Sequence, residues 1–160
     1  MFETLVSWTL KILSKILPFI FRRIYSSTKM LNLVEVTIGS ENTRLEVNCG
    51  ELPSSQVWLE ITNLSPFELN LIGTEAILYW VGRVGEFSSL QRLAIKPHSK
   101  ARIHLETSLN ELQSVHIKKN HNLNRPRLYV SLYFESSVRA INKVRDIETS
   151  NISLLNCKST

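Results

Sequence analysis

A mainly β, antiparallel sandwich with an N-terminal α-helix is the fold class this 160-residue chain predicts. Three observations predict it. Residues 1–30 are apolar, and their polar interruptions fall at helical spacing. From Leu31 onward, short alternating runs bounded by turn residues take over. The charge divides at the same boundary. Residues 1–30 hold Lys11, Lys15, Arg22, Arg23 and Lys29 against Glu3 alone, whereas residues 31–160 hold 14 basic and 13 acidic side chains. We therefore divide the chain into a helix and linker at 1–30 and a sandwich domain at 31–160, large enough to bury one core.

In the first segment, Thr4, Ser7, Lys11, Ser14, Lys15, Pro18 and Arg22 share one helical face. Phe2, Leu5, Val6, Leu10, Ile12, Leu13, Ile16, Leu17, Ile20 and Ile24 take the other, with Thr9 as the polar intruder. Trp8, Phe19 and Phe21 flank the polar side, where interfacial aromatics are favoured. The apolar arc covers more than half the wheel, wider than a helix shows to its own core. A secretory signal fits poorly, because no basic residue precedes Lys11 and no small-residue cleavage pattern follows.

Three placements remain open for this helix: in the plane of a membrane, across it, or docked on a partner or on the body. Residues 4–21 reach the lower length limit for a span. Spanning would put Lys11 and Lys15 near the bilayer centre, at about 2.5–3.5 kcal/mol each. Pro18 would kink the helix by removing a backbone donor. The in-plane reading names Phe2, Leu5, Trp8, Lys11, Ile12, Lys15, Ile16, Phe19, Ile20, Arg22 and Arg23 as the membrane-binding set, facing anionic lipid. If the helix spans, Arg22, Arg23 and Lys29 follow it and the positive-inside rule keeps the body on the cytoplasmic side, the side on which the in-plane reading also places it. Two cysteines, Cys49 and Cys157, are too few for a disulfide framework. Two free thiols are expected, although adjacent first and last strands would allow a pair.

In the body, Leu33–Ile38, Arg44–Cys49, Val57–Thr62, Glu68–Ile72, Glu75–Val81, Leu90–Ile95, Ala101–Glu106, Leu128–Glu135, Ile141–Ile147 and Ile152–Leu155 read as strands. Turn residues such as 39-GSEN-42, 50-GELP-53 and 82-GRVG-85 separate them, and 111-ELQSVHI-117 reads as a short helix. This spacing predicts an antiparallel sandwich of the immunoglobulin or fibronectin type III general kind, with a barrel as runner-up.

The segment 57-VWLEITNLSPFELNL-71 resembles the Asn-Pro-bearing strand and turn of the late-embryogenesis-abundant (LEA) type 2, or WHy, domain. Here the Asn and Pro are separated, as Asn63-Leu-Ser-Pro66. Residues 76-AILYWVGRVG-85 and 95-IKPHSKARIHL-105 are similar to the strands that follow in that family, and 109–117 falls where it carries a short helix. The resemblance covers residues 45–155. It implies a sandwich without an active site, acting in stress protection or membrane-linked binding.

No catalytic constellation stands out. His98, His104, His116 and His121 have no metal-ligand spacing, and neither cysteine is near a histidine in sequence. No Gly-x-Ser-x-Gly is present, and Asp146 is the sole aspartate. The basic run 118-KKNHNLNRPR-127 offers Lys118, Lys119, Arg125 and Arg127 either as an exposed connection or as a loop for lipid headgroups. It lacks the interleaved aromatics that single-stranded nucleic acid would want. Tyr79 and Trp80 are expected to face opposite ways, and Tyr129 and Tyr133 to share the face opposite Phe134.

The expectation is thus a non-enzymatic, membrane-tethered sandwich that binds a protein partner and needs no cofactor, metal or nucleic acid. Two alternatives stand: a stress-protection protein of LEA type 2 character, and a membrane-perturbing effector that oligomerises through the Lys11/Lys15 stripe.

Overall fold

The computed structural model describes residues 17, 19–38, 44–149 and 152–157. The membrane-set residues Phe2, Leu5, Trp8, Lys11, Ile12, Lys15 and Ile16 lie outside them. The body is mainly β, in two sheets of five strands each. The first sheet contains β1 (Val34–Thr37), β2 (Leu45–Asn48), β3 (Ser54–Asn63), β7 (Ser99–Ser108) and β10 (Ile152–Leu155). The second contains β4 (Leu69–Tyr79), β5 (Arg83–Ser89), β6 (Leu93–Ile95), β8 (Arg127–Glu135) and β9 (Ile141–Glu148). Helix α1 (Ser27–Asn32) precedes β1, and α2 (Glu111–Asn120) joins the two sheets between β7 and β8.

Alternation explains the faces. In β8, Leu128, Val130, Leu132 and Phe134 point inward and are buried. In β3, Val57, Leu59 and Ile61 do the same from the other sheet. Both sets, with Leu78 and Trp80, belong to one apolar core. The aromatic expectations hold: Trp80 is buried, Tyr79 is exposed on the outer face, and Phe134 is inward while Tyr129 is outward.

Four departures have physical causes. The runs at 68–72 and 75–81 form one strand, because Ile72 is absorbed as a bulge between Leu71 and Gly73, and Gly73 stays paired with Tyr133 rather than breaking the ladder. The turn beyond β4 takes its positive φ at Val81 (59°), not at a glycine, and Trp80 N–H closes it on the Gly82 carbonyl at 2.7 Å. Residues 27–32, divided by the sequence reading between the linker and the start of the sandwich domain at 31, are helical, because the Ser26 hydroxyl caps the Lys29 N–H. Helix α2 runs to Asn120, three residues past the expected end, behind a capping box of Asn110 and Gln113.

The expectation of two free thiols is also corrected. Cys49 and Cys157 form a disulfide across 108 residues of chain, with their Cα atoms 5.0 Å apart. The cause is topological: β10 lies parallel beside β2, so the residues that follow each strand meet.

Candidate membrane-facing surface

The end of the N-terminal helix, residues 19–24, rests against one pole of the sandwich. Phe21 packs edge-on to Phe67 at 5.4 Å, and Tyr25 meets the same ring at 5.0 Å. The Arg22 Nε donates to the Val138 carbonyl at 2.9 Å. The Arg139 guanidinium returns two bonds, to the Arg22 carbonyl and to the Ser27 hydroxyl, each 2.6 Å. Lys143 Nζ donates to the Leu31 carbonyl near the end of α1, where a cation is favoured. Burial at this contact lowers the Lys143 ammonium pKa, and the neighbouring charge of Arg145 adds to the effect.

The opposite side of the same helix is bare. Leu17, Ile20 and Ile24 recur at spacings of three and four, and they are 37%, 44% and 51% exposed. Phe19 is 68% exposed, and Arg23 is exposed beside it on the wheel. The helix therefore turns Phe21 and Arg22 toward the body and an aliphatic stripe away from it. Sequence reasoning set Arg22 on the polar face and Phe21 at its margin. It did not identify Phe67, Val138 and Arg139 as the dock, because nothing local to those positions signals a distant helix.

The basic run at 118–127 does not form one loop. Lys118 and Lys119 lie in the last turn of α2, where they complement its carbonyl end. Arg127 opens β8 and is bidentate to Asp146 at 3.2 and 2.5 Å, a bond that raises its already high pKa. Arg125 stands 3.6 Å from Glu148. The structure thus divides this candidate headgroup set into two helix-terminal lysines and two arginines with carboxylate partners. The connection that remains is pinned from inside, since Trp80 Nε1 donates to the Asn124 carbonyl at 2.8 Å.

Other polar groups also have structural partners. His104 stacks on Trp58 at 4.6 Å, and Arg44 lies over the same ring at 5.6 Å. Glu60 takes Lys100 at 2.7 Å and Arg102 at 3.5 Å. The Lys100 hydrogen bond, with the charges of both cations, holds the Glu60 carboxyl below the usual range against the opposing effect of burial. Tyr133 donates to Glu75 at 3.1 Å, which raises its phenol pKa. Among the described residues no three His, Cys, Asp or Glu side chains gather as a metal site, and no helix is long and apolar enough to cross a membrane. Two open cavities of about 550 Å³ lie at the pole opposite the N-terminal helix. One is lined by Tyr79, Val81, Leu123 and Arg125 among others, the second by His121, Leu154, Asn156 and Cys157.

No protein-family model matches the chain, and no curated protein sequence matches it. A solved structure does share its fold. The X-ray structure of Northeast Structural Genomics Consortium target SoR45 has a TM-score of 0.52 at 16% identity, over 75% of this chain and 88% of that one. A protein provisionally named ApaA from Bordetella pertussis gives 0.48 at 12% identity, over 74% and 91%. A protein provisionally named late embryogenesis abundant (LEA), solved in solution, gives 0.42 at 11% identity, over 93% and 90%. At these identities the likeness to the SoR45 target is one of fold alone.

Proposed function

We propose that this chain is a non-enzymatic β-sandwich interaction module, of the immunoglobulin or fibronectin type III general kind, held on an anionic membrane surface by its N-terminal helix. One observation carries the reading: the helix spends its polar margin on the body and leaves Leu17, Ile20 and Ile24 uncovered. By sequence spacing the stripe continues through Val6, Leu10 and Leu13, while Lys11 and Lys15 fall on the side of Arg22. A helix lying in the membrane plane needs this division. Its aliphatic face enters the lipid, its cations reach the headgroups, and the folded domain sits on the water side. A fully buried aliphatic side chain contributes about 1.5–3 kcal/mol, and a basic residue near an anionic surface about 1 kcal/mol. The full segment thus supplies enough for stable adsorption without crossing.

For the side of the membrane, the anionic cytoplasmic leaflet is the surface that attracts the basic residues Lys11, Lys15, Arg23 and Lys29, so the body is cytoplasmic. The Cys49–Cys157 disulfide lends this side no support, since bonded cysteines are rare in reducing compartments. The effector reading instead pairs helices through the Lys11/Lys15 stripe, whose spacing of four puts both cations on one face. Stress protection rests on the sequence resemblance alone.

The test is co-sedimentation of the full chain with phosphatidylserine vesicles. Ile20→Asp with Ile24→Asp should weaken binding at least tenfold, and Lys11→Glu with Lys15→Glu should make it less salt-sensitive. Unchanged binding by the first pair would refute the tether. Extraction by alkaline carbonate is expected for an in-plane helix, whereas resistance would favour a span. Dye release from the vesicles would favour the effector.

A further inference from the structure

The Cys49–Cys157 pair has two unlike ends. Cys49 is 1% exposed and belongs to the apolar core. Its carbonyl accepts the Ser114 hydroxyl from α2 at 3.4 Å, and its N–H donates to the Leu155 carbonyl at 2.9 Å. Cys157 is also buried, but it lines the open cavity formed with His121, Leu154 and Asn156. His121 follows the last turn of α2 and binds the Lys118 carbonyl at 2.9 Å, so Lys118 and Lys119 belong to the same turn. A thiolate approaching through this opening meets Cys157 first.

What the pair holds is also unequal. Strand β10 has four residues, bonded in parallel to β2. None of its side chains is fully buried, and Leu154 and Leu155 are 36% and 43% exposed. Beyond the ladder, Asn156 Nδ2 donates to Asn48 Oδ1 at 3.0 Å. Parallel pairing of so short and exposed a strand contributes little. Strand β2, in contrast, keeps its antiparallel partner β3 on the other side.

We infer that Cys157 is a thiol-exchange site open to small thiols, and that exchange there releases β10 from the edge of β2. The attacking thiolate forms a bond to Cys157 Sγ as the Cys157–Cys49 bond breaks. The electron pair leaves on Cys49 Sγ, which takes a proton from solvent. A second thiol then displaces Cys157, so two thiols are oxidised to one disulfide and the cystine is reduced to two thiols. The product has an open β2 edge at Leu45–Asn48, the kind of edge to which extended peptides add. This site stands independently of the membrane reading.

The experiment treats the oxidised full chain with glutathione, without denaturant. Acid-quenched mass spectrometry maps the mixed disulfide, and hydrogen exchange is compared before and after reduction. The adduct is expected on Cys157. Faster exchange is expected at 45–48 and 152–155, with β4 and β8 unchanged. An adduct mainly on Cys49, no adduct until denaturant is added, or faster exchange throughout both sheets would each overturn the inference. Cys157→Ser should reproduce the open pattern without glutathione, and protected segments in that variant would show that the cystine does not hold β10.

Discussion

Replacing Asn63 with Ala should be the most costly single polar change in the body. Asn63 is fully buried where β3 ends. Its Nδ2 donates to the carbonyls of Phe67 at 2.8 Å and of Ile95 and Lys96 at 3.1 Å. With two hydrogens for three acceptors, one of them is shared. Its Oδ1 accepts from the Ser65 N–H at 3.0 Å and the Ser65 hydroxyl at 2.7 Å. One side chain thus joins the turn after β3 to the turn after β6, and so one sheet to the other. Alanine removes about four hydrogen bonds' worth of net stabilisation at roughly 1 kcal/mol each, and it strands the buried Ser65 N–H, while the Ser65 hydroxyl keeps the Phe67 carbonyl at 3.0 Å. A loss of about 3–5 kcal/mol follows, a large share of the 5–15 kcal/mol typical of a domain. With a urea slope of about 1–3 kcal/mol/M, the midpoint should fall by about 2 M. The assay is urea unfolding followed by tryptophan fluorescence, since Trp80 is buried. Asn63→Asp is the control. It keeps the acceptors but sets a carboxylate against three carbonyls, so its pKa is raised and its deficit should shrink as pH falls through that value. A loss below 1 kcal/mol for Asn63→Ala would refute the assignment of Asn63 as the hub.

Three further outcomes are expected. Because the folded Glu60 pKa lies below its unfolded value, its contribution is present above pH ~4.3 and is lost as pH falls through the folded pKa; Glu60→Gln should flatten that part of the acid-stability curve, as read by urea midpoints from pH 2 to 6. The Tyr133 phenol should titrate above the ordinary ~10 by ultraviolet absorbance, and Glu75→Gln should bring it back down. Val81→Gly should raise stability by about 1 kcal/mol in chemical unfolding, since it relieves a β-branched residue at φ 59° on an exposed turn.

Legibility in the sequence followed the range of the signal. Strands such as Leu128–Glu135 alternate strictly, so their faces were readable from the period alone. Gly73 misled, because a glycine that ends a strand and one that stays paired beside a bulge look alike locally. Helix α1 was missed although Ser26 offered a capping signal, since six residues carry too little periodicity to register. The partnership of β2 with β10, and with it the cystine, has no local signature. On the helix, the wheel separated Ile20 and Ile24 from Arg22 correctly. Which flanking aromatic meets the body was undetermined, because Phe19 and Phe21 border the polar face alike and only Phe67 distinguishes them.

The β2–β10 pairing also sets a timetable. The two cysteines that close it are 108 residues apart, so at a synthesis rate of about 5–20 residues per second β2 waits roughly 5–20 s for its neighbour. During that interval the ribosome holds a nascent sheet with one side unfinished, while the N-terminal segment has long since emerged. Completion by so distant a pairing carries a large loop-closure cost and makes this the slow, aggregation-exposed stage of folding. Substitutions in Ile152–Leu155 should therefore reduce the yield of folded protein in cells more than they lower its equilibrium stability once made.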